Sequence, residues 1–416
     1  MRIAVLGAGL LGVTSAWYLA ADGHEVTVFD RQPGAGLETS FANGGQISTS
    51  HAEPWANPGA PWQALKWLGH EDSPLLWRLR ADPAQWAWGV RFLRECFPGR
   101  TRANIAAILK LALYSRARLG ALRRELGLDY DALERGILHF YTDPRDFEHA
   151  IPQAALMRAF GCERVPKSAA DCLQIEPALQ GSTIPIVGGT YTQEDESGDA
   201  PKFVLALAAR SAARGVVFNN DVGIDALDVR GDRVTGVRLH DGSMVTADAY
   251  VVALGSYSPL LLRPLGMRIP VYPAKGYSVT IPVDGIAMAP TVSMTDDGHK
   301  IVFSRLGQRL RVAGTAEFAG YDTALNSTRC AAIVKRVAAI FPQVGKQRSG
   351  IEEWAGLRPA TPGNVPLVGR TNFANLLVNT GHGTLGWTLA CGSGKLLADL
   401  VSDRSPDIDP APYSMS

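Results

Sequence analysis

The sequence of 416 residues has few cysteines, almost no net charge and no long apolar run. Its five cysteines are scattered and form no CxxC pair, so they indicate neither a zinc site nor a disulfide framework and favour buried thiols in a reducing compartment. With 41 basic and 40 acidic residues, the chain has no electrostatic footprint for nucleic acid. No window has the length and apolarity of a membrane-spanning helix. The length suffices for two domains or one composite domain.

The first thirty residues contain the most informative pattern. An apolar run, Ile3–Leu6, is typical of a buried parallel strand and leads directly into GAGLLG, which contains Gly7, Gly9 and Gly12. A helical pattern follows, and then a second strand that ends before Asp30. In this context the glycines permit a tight turn, close backbone approach to a pyrophosphate and close helix–strand packing, while Asp30 can accept ribose hydroxyls. Because a helix N-terminus also favours phosphates, this stretch predicts a dinucleotide site.

The same stretch shares Arg2, an apolar run and small residues with a secretory leader. Three glycines within six residues would weaken a leader helix, and a strand that ends before Asp30 has no place in a leader. We therefore expect the chain to begin in the cytoplasm.

Three later segments indicate a cofactor larger than NAD. The loop at 38–48 is rich in small, amide and hydroxyl residues, which suit contact with a flat polar ring. Segment 203–256 contains a helix, an antiparallel meander and an apolar strand that runs into a turn at Gly255. Near the C-terminus, strand 375–379 precedes a glycine-rich loop and a helix from Trp387, whose N-terminus favours the negative charge of a reduced flavin. One fingerprint with dispersed contact segments favours FAD over NAD.

Several motifs along nearly the whole chain carry a family resemblance. They are GAGLLG with Ser15–Leu19, Leu37–Ser40 with Ala42–Ser48, Ala253–Ser258, Pro270–Ser278, Trp354–Pro359 and Asn379–Thr388. With these motifs the chain resembles the small subunits of bacterial D-amino acid dehydrogenases, within the FAD-dependent D-amino acid oxidase superfamily. The last two motifs are specific to this group.

The resemblance implies an enzyme with FAD as cofactor and a D-amino acid as its small-molecule substrate. The implied reaction is oxidative deamination to a 2-oxo acid and ammonia, by hydride transfer from Cα to N5 of FAD. Electrons would then pass to a respiratory-chain acceptor such as a quinone. Two alternatives stay open, namely a glycine- or sarcosine-type oxidase that uses oxygen and a non-catalytic dinucleotide-binding protein. The preferred side chain and the oligomeric state are left open, and no metal site is indicated.

Predicted FAD contacts lie in the fingerprint, the loop after Asp30, two positions of the middle segment and the C-terminal glycine-rich loop. They are Gly7, Gly9, Leu10, Leu11, Gly12, Asp30, Arg31, Thr39, Ser40, Asn43, Gly44, Gly45, Gln46, Val222, Gly255, Gly383, Thr384, Leu385 and Gly386.

Arg358 is the leading candidate for binding the substrate carboxylate, because a guanidinium is a planar bidentate donor that stays charged. The superfamily places a carboxylate-binding arginine in a similar segment; the alternative is an arginine that ties this loop to the core. His382, between two glycines, is predicted to orient the flavin or the substrate rather than to act as a general base. No Ser–His–Asp arrangement is evident, and catalysis is expected to depend on positioning and on the cofactor.

Further candidates come from the resemblance and from residue type. Lys275 and Tyr277 are predicted catalytic residues near the reactive side of the flavin, and surface lysine is the alternative for Lys275. Tyr257 and Tyr272 are predicted substrate-binding pocket walls. The weaker candidates are Lys300 and Arg305 for the anionic group, and His51 near the substrate entrance.

Segment 51–100 contains six of the nine tryptophans, six prolines and interspersed basic residues. It is too broken for a spanning helix. Tryptophan with basic residues suits a membrane–water interface, and the alternative is a lid or wall of short helices packed on the substrate domain, with tryptophan in its core. The resemblance favours peripheral contact with the cytoplasmic face of the inner membrane.

The predicted fold class is α/β, with a discontinuous Rossmann-type FAD-binding domain and a mixed or antiparallel substrate sheet like that of D-amino acid oxidase. The FAD-binding parts are predicted at 1–50, 101–135, 160–182, 200–264 and 345–416. The substrate domain is predicted at 136–159, 183–199 and 265–344, with 51–100 as a separate lid or membrane-contact segment. Its expected strands are Gly136–Phe140, Val187–Tyr191, Tyr277–Ile281 and Arg309–Ala313.

Overall fold

A computed structural model describes residues 1–67, 71 and 73–415. Capping residues set several helix starts: Asp82 accepts a hydrogen bond from Ala84 N at 2.9 Å, and Asp199 caps a later helix in the same way. The helices of the described residues are α1 (Leu10–Ala21), α2 (Ala60–Trp67), α3 (Pro83–Glu95), α4 (Pro98–Leu126), α5 (Pro144–Ala159), α6 (Ala169–Ile175), α7 (Ala200–Ala213), α8 (Ser258–Leu262), α9 (Ser327–Ile340) and α10 (Gly386–Val401).

The strands of the described residues fall into two large sheets and two small ones. They are β1 (Arg2–Leu6), β2 (Glu25–Phe29), β3 (Gln46–Ile47), β4 (Leu75–Trp77), β5 (Ile137–Tyr141), β6 (Arg164–Ser168), β7 (Gly188–Thr192), β8 (Glu196–Ser197), β9 (Val217–Asn219), β10 (Ile224–Arg230), β11 (Arg233–Leu239), β12 (Met244–Val245), β13 (Ala249–Val252), β14 (Tyr272–Pro282), β15 (Ser293–Asp296), β16 (Ile301–Leu306), β17 (Arg309–Phe318), β18 (Glu352–Ala360), β19 (Leu367–Arg370) and β20 (Leu376–Thr380).

The first large sheet has six strands in the order β19-β20-β13-β1-β2-β9. All neighbours are parallel except the edge pair β19 and β20. Apolar residues of α1, α4, α7 and α10 pack on one face in a single core, and the antiparallel meander β10–β12 packs on the other. This layering buries both faces of the sheet, as the near-continuous apolar strands require.

The second large sheet has nine strands and is mostly antiparallel, in the order β18-β14-β17-β16-β15-β5-β7-β6 with β4 on β17. The four strands predicted for the substrate domain are present within it. Two further members come from ranges predicted for the FAD-binding domain: β18 pairs along its whole length with β14, and β6 pairs with β7. Strand pairing therefore extends this sheet beyond the ranges predicted from the sequence.

Segment 51–100 supplies α2, β4 and α3. Its strand β4 runs parallel to β17, and Trp77 stacks on Phe318 with ring centroids 4.7 Å apart. Trp88 is buried and its Nε1 donates to the Ala360 carbonyl at 2.8 Å. Strand β4 and helix α3 are thus attached to the second sheet. None of the helices in the described residues combines the length and apolarity that crossing a bilayer requires.

Candidate active site

A cavity of about 1180 Å³ lies between the two large sheets. Gly7, Asp30 and Ala253 line it where β1, β2 and β13 end, and Ala313 and Thr315 line it from β17. Ligands of parallel α/β sheets bind at this carboxyl edge. Every predicted FAD contact except Gly12 lines the cavity.

Close packing of the fingerprint loop explains where its glycines lie. Gly7 has φ +107°, and a Cβ there would lie 2.6 Å from the Ala253 carbonyl oxygen. A Cβ on Gly12 would lie 1.7 Å from the Gly7 carbonyl oxygen. Gly12 therefore holds α1 against β1 and contributes no surface to the cavity, whereas Gly9 faces it.

Asp30 braces the same loop. One carboxylate oxygen accepts from Ala8 N at 2.6 Å and the other from Gln32 N at 2.8 Å. Burial raises the pKa of Asp30, and the hydrogen bonds from the two backbone N–H groups reduce this increase. A carboxylate has about four acceptor sites, so capacity is left for ribose hydroxyls.

Unsatisfied polar atoms around the cavity fit a large polar ligand. Thr315 Oγ1, Asn379 Oδ1, His382 Nδ1 and Trp387 Nε1 are buried without a hydrogen-bond partner in the described residues, and all four residues line the cavity. Buried polar groups of folded proteins are normally satisfied. The loop before α10 also presents the N-terminus of a 16-residue helix to this space. Both features fit the polar ring of a flavin.

Arg358 extends from β18 across the floor of the cavity. Its Nη1 donates to the Thr315 carbonyl at 2.7 Å, and its guanidinium passes so close to Gly276 that a Cβ there would lie 2.3 Å from Cζ. Burial lowers the pKa of Arg358 to about 10, with a further contribution from Arg329. In the described part of the chain no carboxylate forms an ion pair with Arg358. A cation without a counter-ion in a cavity is suited to binding an anion.

A family model described as FAD dependent oxidoreductase matches residues 2–400. The chain belongs to this family. The oxidoreductase is 60% identical to a D-amino acid dehydrogenase of Dechloromonas aromatica (strain RCB), over 98% of each chain, and 57% identical to one of Paramagnetospirillum magneticum, over 97% of this chain and 96% of the relative. The family match confirms FAD as the cofactor and confirms the resemblance stated above.

Solved structures confirm the fold class of the oxidoreductase. Glycine oxidase from Geobacillus kaustophilus superposes with a TM-score of 0.80 at 22% identity, covering 100% of this chain and 98% of that one. Iminodiacetate oxidase from Chelativorans sp. BNC1 gives a TM-score of 0.73 at 20% identity, covering 99% and 98%. At these identities the likeness concerns the fold alone.

His382 of the oxidoreductase lines the cavity and is 1% exposed. Its Nε2 lies 2.8 Å from Ser393 Oγ, and burial lowers the pKa of the imidazole to about 3. His382 is therefore neutral at physiological pH. Its free Nδ1 can orient the flavin or the substrate through a hydrogen bond but not through a charge.

Lys275 lies outside the cavity lining. Its Nζ donates to Asp322 Oδ2 at 2.8 Å and to the Ala324 carbonyl at 3.1 Å, and lies 3.7 Å from Glu317. Tyr277 borders the cavity, but its hydroxyl donates to Glu317 Oε2 at 2.5 Å. Alternate strand residues point to opposite faces, so both side chains point away from the face on which Gly276 meets Arg358. The geometry gives both residues a bracing position rather than a catalytic one.

The remaining candidates of the oxidoreductase divide between the cavity and its surroundings. Tyr257 lines the cavity and carries the Arg31 guanidinium 4.1 Å above its ring. Tyr272 lies outside, with its hydroxyl donating to Asp82 at 2.8 Å. Arg305 also lies outside and donates to the Gly307 carbonyl. His51 and Lys300 both line the cavity.

The oxidoreductase also contains a Ser–His–Asp row that the sequence did not indicate. Ser50 Oγ lies 3.0 Å from His139 Nε2, and His139 Nδ1 lies 2.9 Å from Asp297 Oδ2. The expectation that no such arrangement exists was wrong. No local motif signals it, because Ser50 lies in a short 3-10 turn, His139 in β5 and Asp297 directly after β15. Ser50 and Asp297 line the cavity, whereas His139 lies behind them.

We expect Gly276→Ala to displace the Arg358 guanidinium, because the new methyl group would lie 2.3 Å from Cζ. A misplacement of about 1 Å costs about a hundredfold in rate, so kcat/KM should fall by about that factor while the visible spectrum of bound FAD is unchanged. Gly99→Ala is the matched control, since a Cβ at Gly99 meets nothing within 4 Å. Equal kinetics for the two variants would contradict the position assigned to Arg358.

Proposed function

We propose that this oxidoreductase is a D-amino acid dehydrogenase that converts D-amino acids to 2-oxo acids and ammonia. The observation that supports it most directly is the uncompensated guanidinium of Arg358 inside the cavity with the flavin-binding features. Relatives named D-amino acid dehydrogenase at 60% and 57% identity support the same substrate class.

In this proposal the chain contributes mainly by positioning. Arg358 binds the substrate carboxylate with its free N–H groups, while the Thr315 carbonyl fixes the orientation of the guanidinium. Thr315 has φ +54°, an uncommon backbone conformation for threonine that costs about 1–3 kcal/mol and points its carbonyl to the guanidinium. Bound FAD supplies the two-electron acceptor for the hydrogen at Cα. The loop residues 39–46 and 383–386 are proposed to hold the cofactor.

Anaerobic mixing with amino acids tests the proposal. We expect D-amino acids to remove the visible absorbance of bound FAD, with one 2-oxo acid and one ammonia formed per flavin, and L-amino acids to leave the absorbance unchanged. Bleaching by L-amino acids alone, or by none of the amino acids, would contradict the proposed substrate class.

The electron acceptor is proposed to be a respiratory quinone rather than oxygen, which would distinguish a dehydrogenase from a glycine- or sarcosine-type oxidase. The measurement is the rate of quinone reduction against the rate of peroxide formation with the same substrate. Faster peroxide formation would support the oxidase alternative.

We also propose peripheral contact with the cytoplasmic face of the inner membrane through an apolar patch in segment 51–100. Trp86, Val90 and Leu93 of α3 are more than half exposed and are spaced to share one helix face, with the basic Arg91 and Arg94 beside them. Large exposed apolar side chains commonly mark an interaction surface. The exposed apolar side chains proposed to form the patch are Trp62, Leu79, Trp86, Val90, Leu93 and Phe97, of which Leu79, Trp86, Val90 and Leu93 also line the cavity.

Vesicle binding tests this contact. Wild-type protein is expected to float with vesicles of anionic phospholipid, and Trp86→Glu combined with Leu93→Glu should weaken binding at least about tenfold, because each buried apolar side chain contributes about 1.5–3 kcal/mol. Leu205→Glu is the control, since Leu205 is 53% exposed on α7 and lies outside the patch. Absence of wild-type binding would contradict the proposal.

A further inference from the structure

The Ser–His–Asp row has the geometry of a proton-transfer path. Ser48 Oγ lies 3.1 Å from Ser50 Oγ, which extends the row to a second hydroxyl at the cavity wall. At the other end, Asp297 lies 3.6 Å from the ammonium of Lys300, whose side chain is half exposed. Hydrogen bonds therefore connect two hydroxyls at the cavity wall to the His139–Asp297 pair, and Lys300 lies beside Asp297 at the same cavity.

The backbone around Ser50 fixes its hydroxyl. Asp195 accepts from Thr49 N at 2.8 Å and from Ser50 N at 3.0 Å, so both peptide groups of the turn are held by one carboxylate. The Ser50 carbonyl also accepts from Arg164 Nη1 at 3.2 Å. A hydroxyl on a turn held in this way keeps its direction toward His139.

Burial argues that His139 transfers protons rather than recognises a ligand. His139 is 1% exposed and does not line the cavity, so only Ser50 connects its Nε2 to that space. The Asp297 carboxylate accepts a hydrogen bond from His139 Nδ1 at 2.9 Å and another from the Tyr141 hydroxyl at 2.8 Å. This contact fixes the tautomer with Nε2 free to accept the Ser50 proton.

The charges around His139 are nearly balanced. Arg164 pairs with Glu53 at 3.1 Å, and its other nitrogen lies 3.5 Å from Asp297. Burial would raise the pKa of Asp297, but His139, Lys300 and Arg164 hold it well below its usual range. Asp297 therefore stays ionised beside the imidazole ring. His51 stacks on His139 with centroids 5.8 Å apart, and burial lowers its pKa to about 3, so it stays neutral.

The row lies on the same face of the second sheet as the substrate floor. His139 is in register with Thr295, Thr295 with Val302, and Val302 with Ala313, two residues before Thr315, which holds Arg358. Three strand spacings separate β17 from β5, about 14 Å. The proton transfer proposed here therefore requires water in the cavity between the substrate ammonium and the Ser48 or Ser50 hydroxyl.

We propose that the Ser–His–Asp row accepts the proton that the substrate ammonium loses before the Cα hydride leaves. The proposal rests on the proposed function, because it assumes an amino acid bound at Arg358. An N–H bond of the ammonium breaks, Ser50 receives a proton on its cavity side, and its own proton passes to His139 Nε2. The imidazolium pairs with the Asp297 carboxylate, and its Nε2 proton later returns through Ser50 to solvent in the cavity. No electrons move in this step, and the free amine retains the lone pair needed for imine formation.

Rapid anaerobic mixing of the holoenzyme with D-alanine, over a range of pH, tests the row. His139→Gln should slow flavin bleaching about a hundredfold at pH 7. This factor is the lower end of the rate enhancement, about a hundredfold to ten-thousandfold, that one proton-transferring side chain contributes. The deficit should shrink about tenfold per pH unit as the substrate ammonium deprotonates in solution. Ser50→Ala, a smaller change that cuts the row, should give the same pH profile, and imidazole should restore bleaching in His139→Ala.

Two measurements separate a proton path from a structural role. The visible spectrum of bound FAD and the dissociation constant of a carboxylate ligand such as benzoate should match wild type in each variant. His149→Gln, on the exposed side of α5, is the control and should bleach at the wild-type rate. A deficit of equal size at every pH, or no deficit, would overturn the proposed row. If wild-type protein is not bleached by D-alanine or other D-amino acids at any pH, the proposed function itself fails and the row with it.

Discussion

Arg358→Ala is expected to lower kcat/KM for D-amino acids by about a thousandfold while FAD stays bound. Removing one partner of a buried, hydrogen-bonded charge pair costs about 2–5 kcal/mol, and about 4 kcal/mol corresponds to that factor. FAD should be retained, because Arg358 contacts Thr315 and not the fingerprint or the C-terminal glycine-rich loop. Steady-state kinetics with the flavin absorbance as a loading control measure the effect.

Two variants refine this prediction. Arg358→Lys should recover only part of the loss, because an ammonium keeps the charge but lacks the bidentate fork. Arg305→Ala removes an arginine that lies outside the cavity and should behave as wild type. Near-normal constants for Arg358→Ala would refute the assignment of this residue to the carboxylate.

Gly12→Ala is expected to weaken FAD binding by about a hundredfold and to lower the melting temperature. The added Cβ would lie 1.7 Å from the Gly7 carbonyl oxygen, so α1 must move away from the loop that approaches the pyrophosphate. Overpacking a tight contact costs about 1–3 kcal/mol, and the upper end corresponds to about a hundredfold in affinity. The measurements are a titration of the apoprotein with FAD and a thermal melt.

Gly120→Ala provides the matched control for this change. Gly120 is also a helical glycine, but a Cβ there approaches only the flexible end of Arg124, at 3.4 Å. It should bind FAD normally and be slightly more stable, because alanine favours a helix over glycine. Retention of wild-type FAD affinity in Gly12→Ala would contradict the packing role.

Local patterns explain how much of the fold could be predicted. The strand–glycine loop–helix unit at the N-terminus depends on neighbours in sequence, and the structure has it with the expected bounds. The predicted meander after Ile224 is also present, with its turn at Gly231 (φ +64°) and its third strand at Met244–Val245. For the cofactor site, small residues close to each strand end were enough to indicate the cavity wall.

Long-range pairing explains what could not be predicted. Lys275 and Tyr277 are two residues apart in the sequence and lie on the strand face opposite to Arg358. A register shift in the pairing of β14 with β17 lies between them, and both side chains approach Glu317. The Ser–His–Asp row joins residues 89 and 158 positions apart, so no spacing rule could find it. Strand β18 belongs to the second sheet because it pairs with β14. The sequence did not indicate this pairing, since the segments on either side of β18 were predicted for the FAD-binding domain.

Strand β4 constrains how the enzyme exchanges its substrate and product. Its backbone is bonded to β17, and Trp88 is bonded to the carbonyl of Ala360 at the end of β18. If β4 and α3 swung away from the second sheet, several backbone hydrogen bonds would break at once, and each contributes about 0.5–1.5 kcal/mol. Turnover should therefore be limited by the width of a fixed entrance, and bulky amino acids should lose affinity through slower association rather than through weaker contacts.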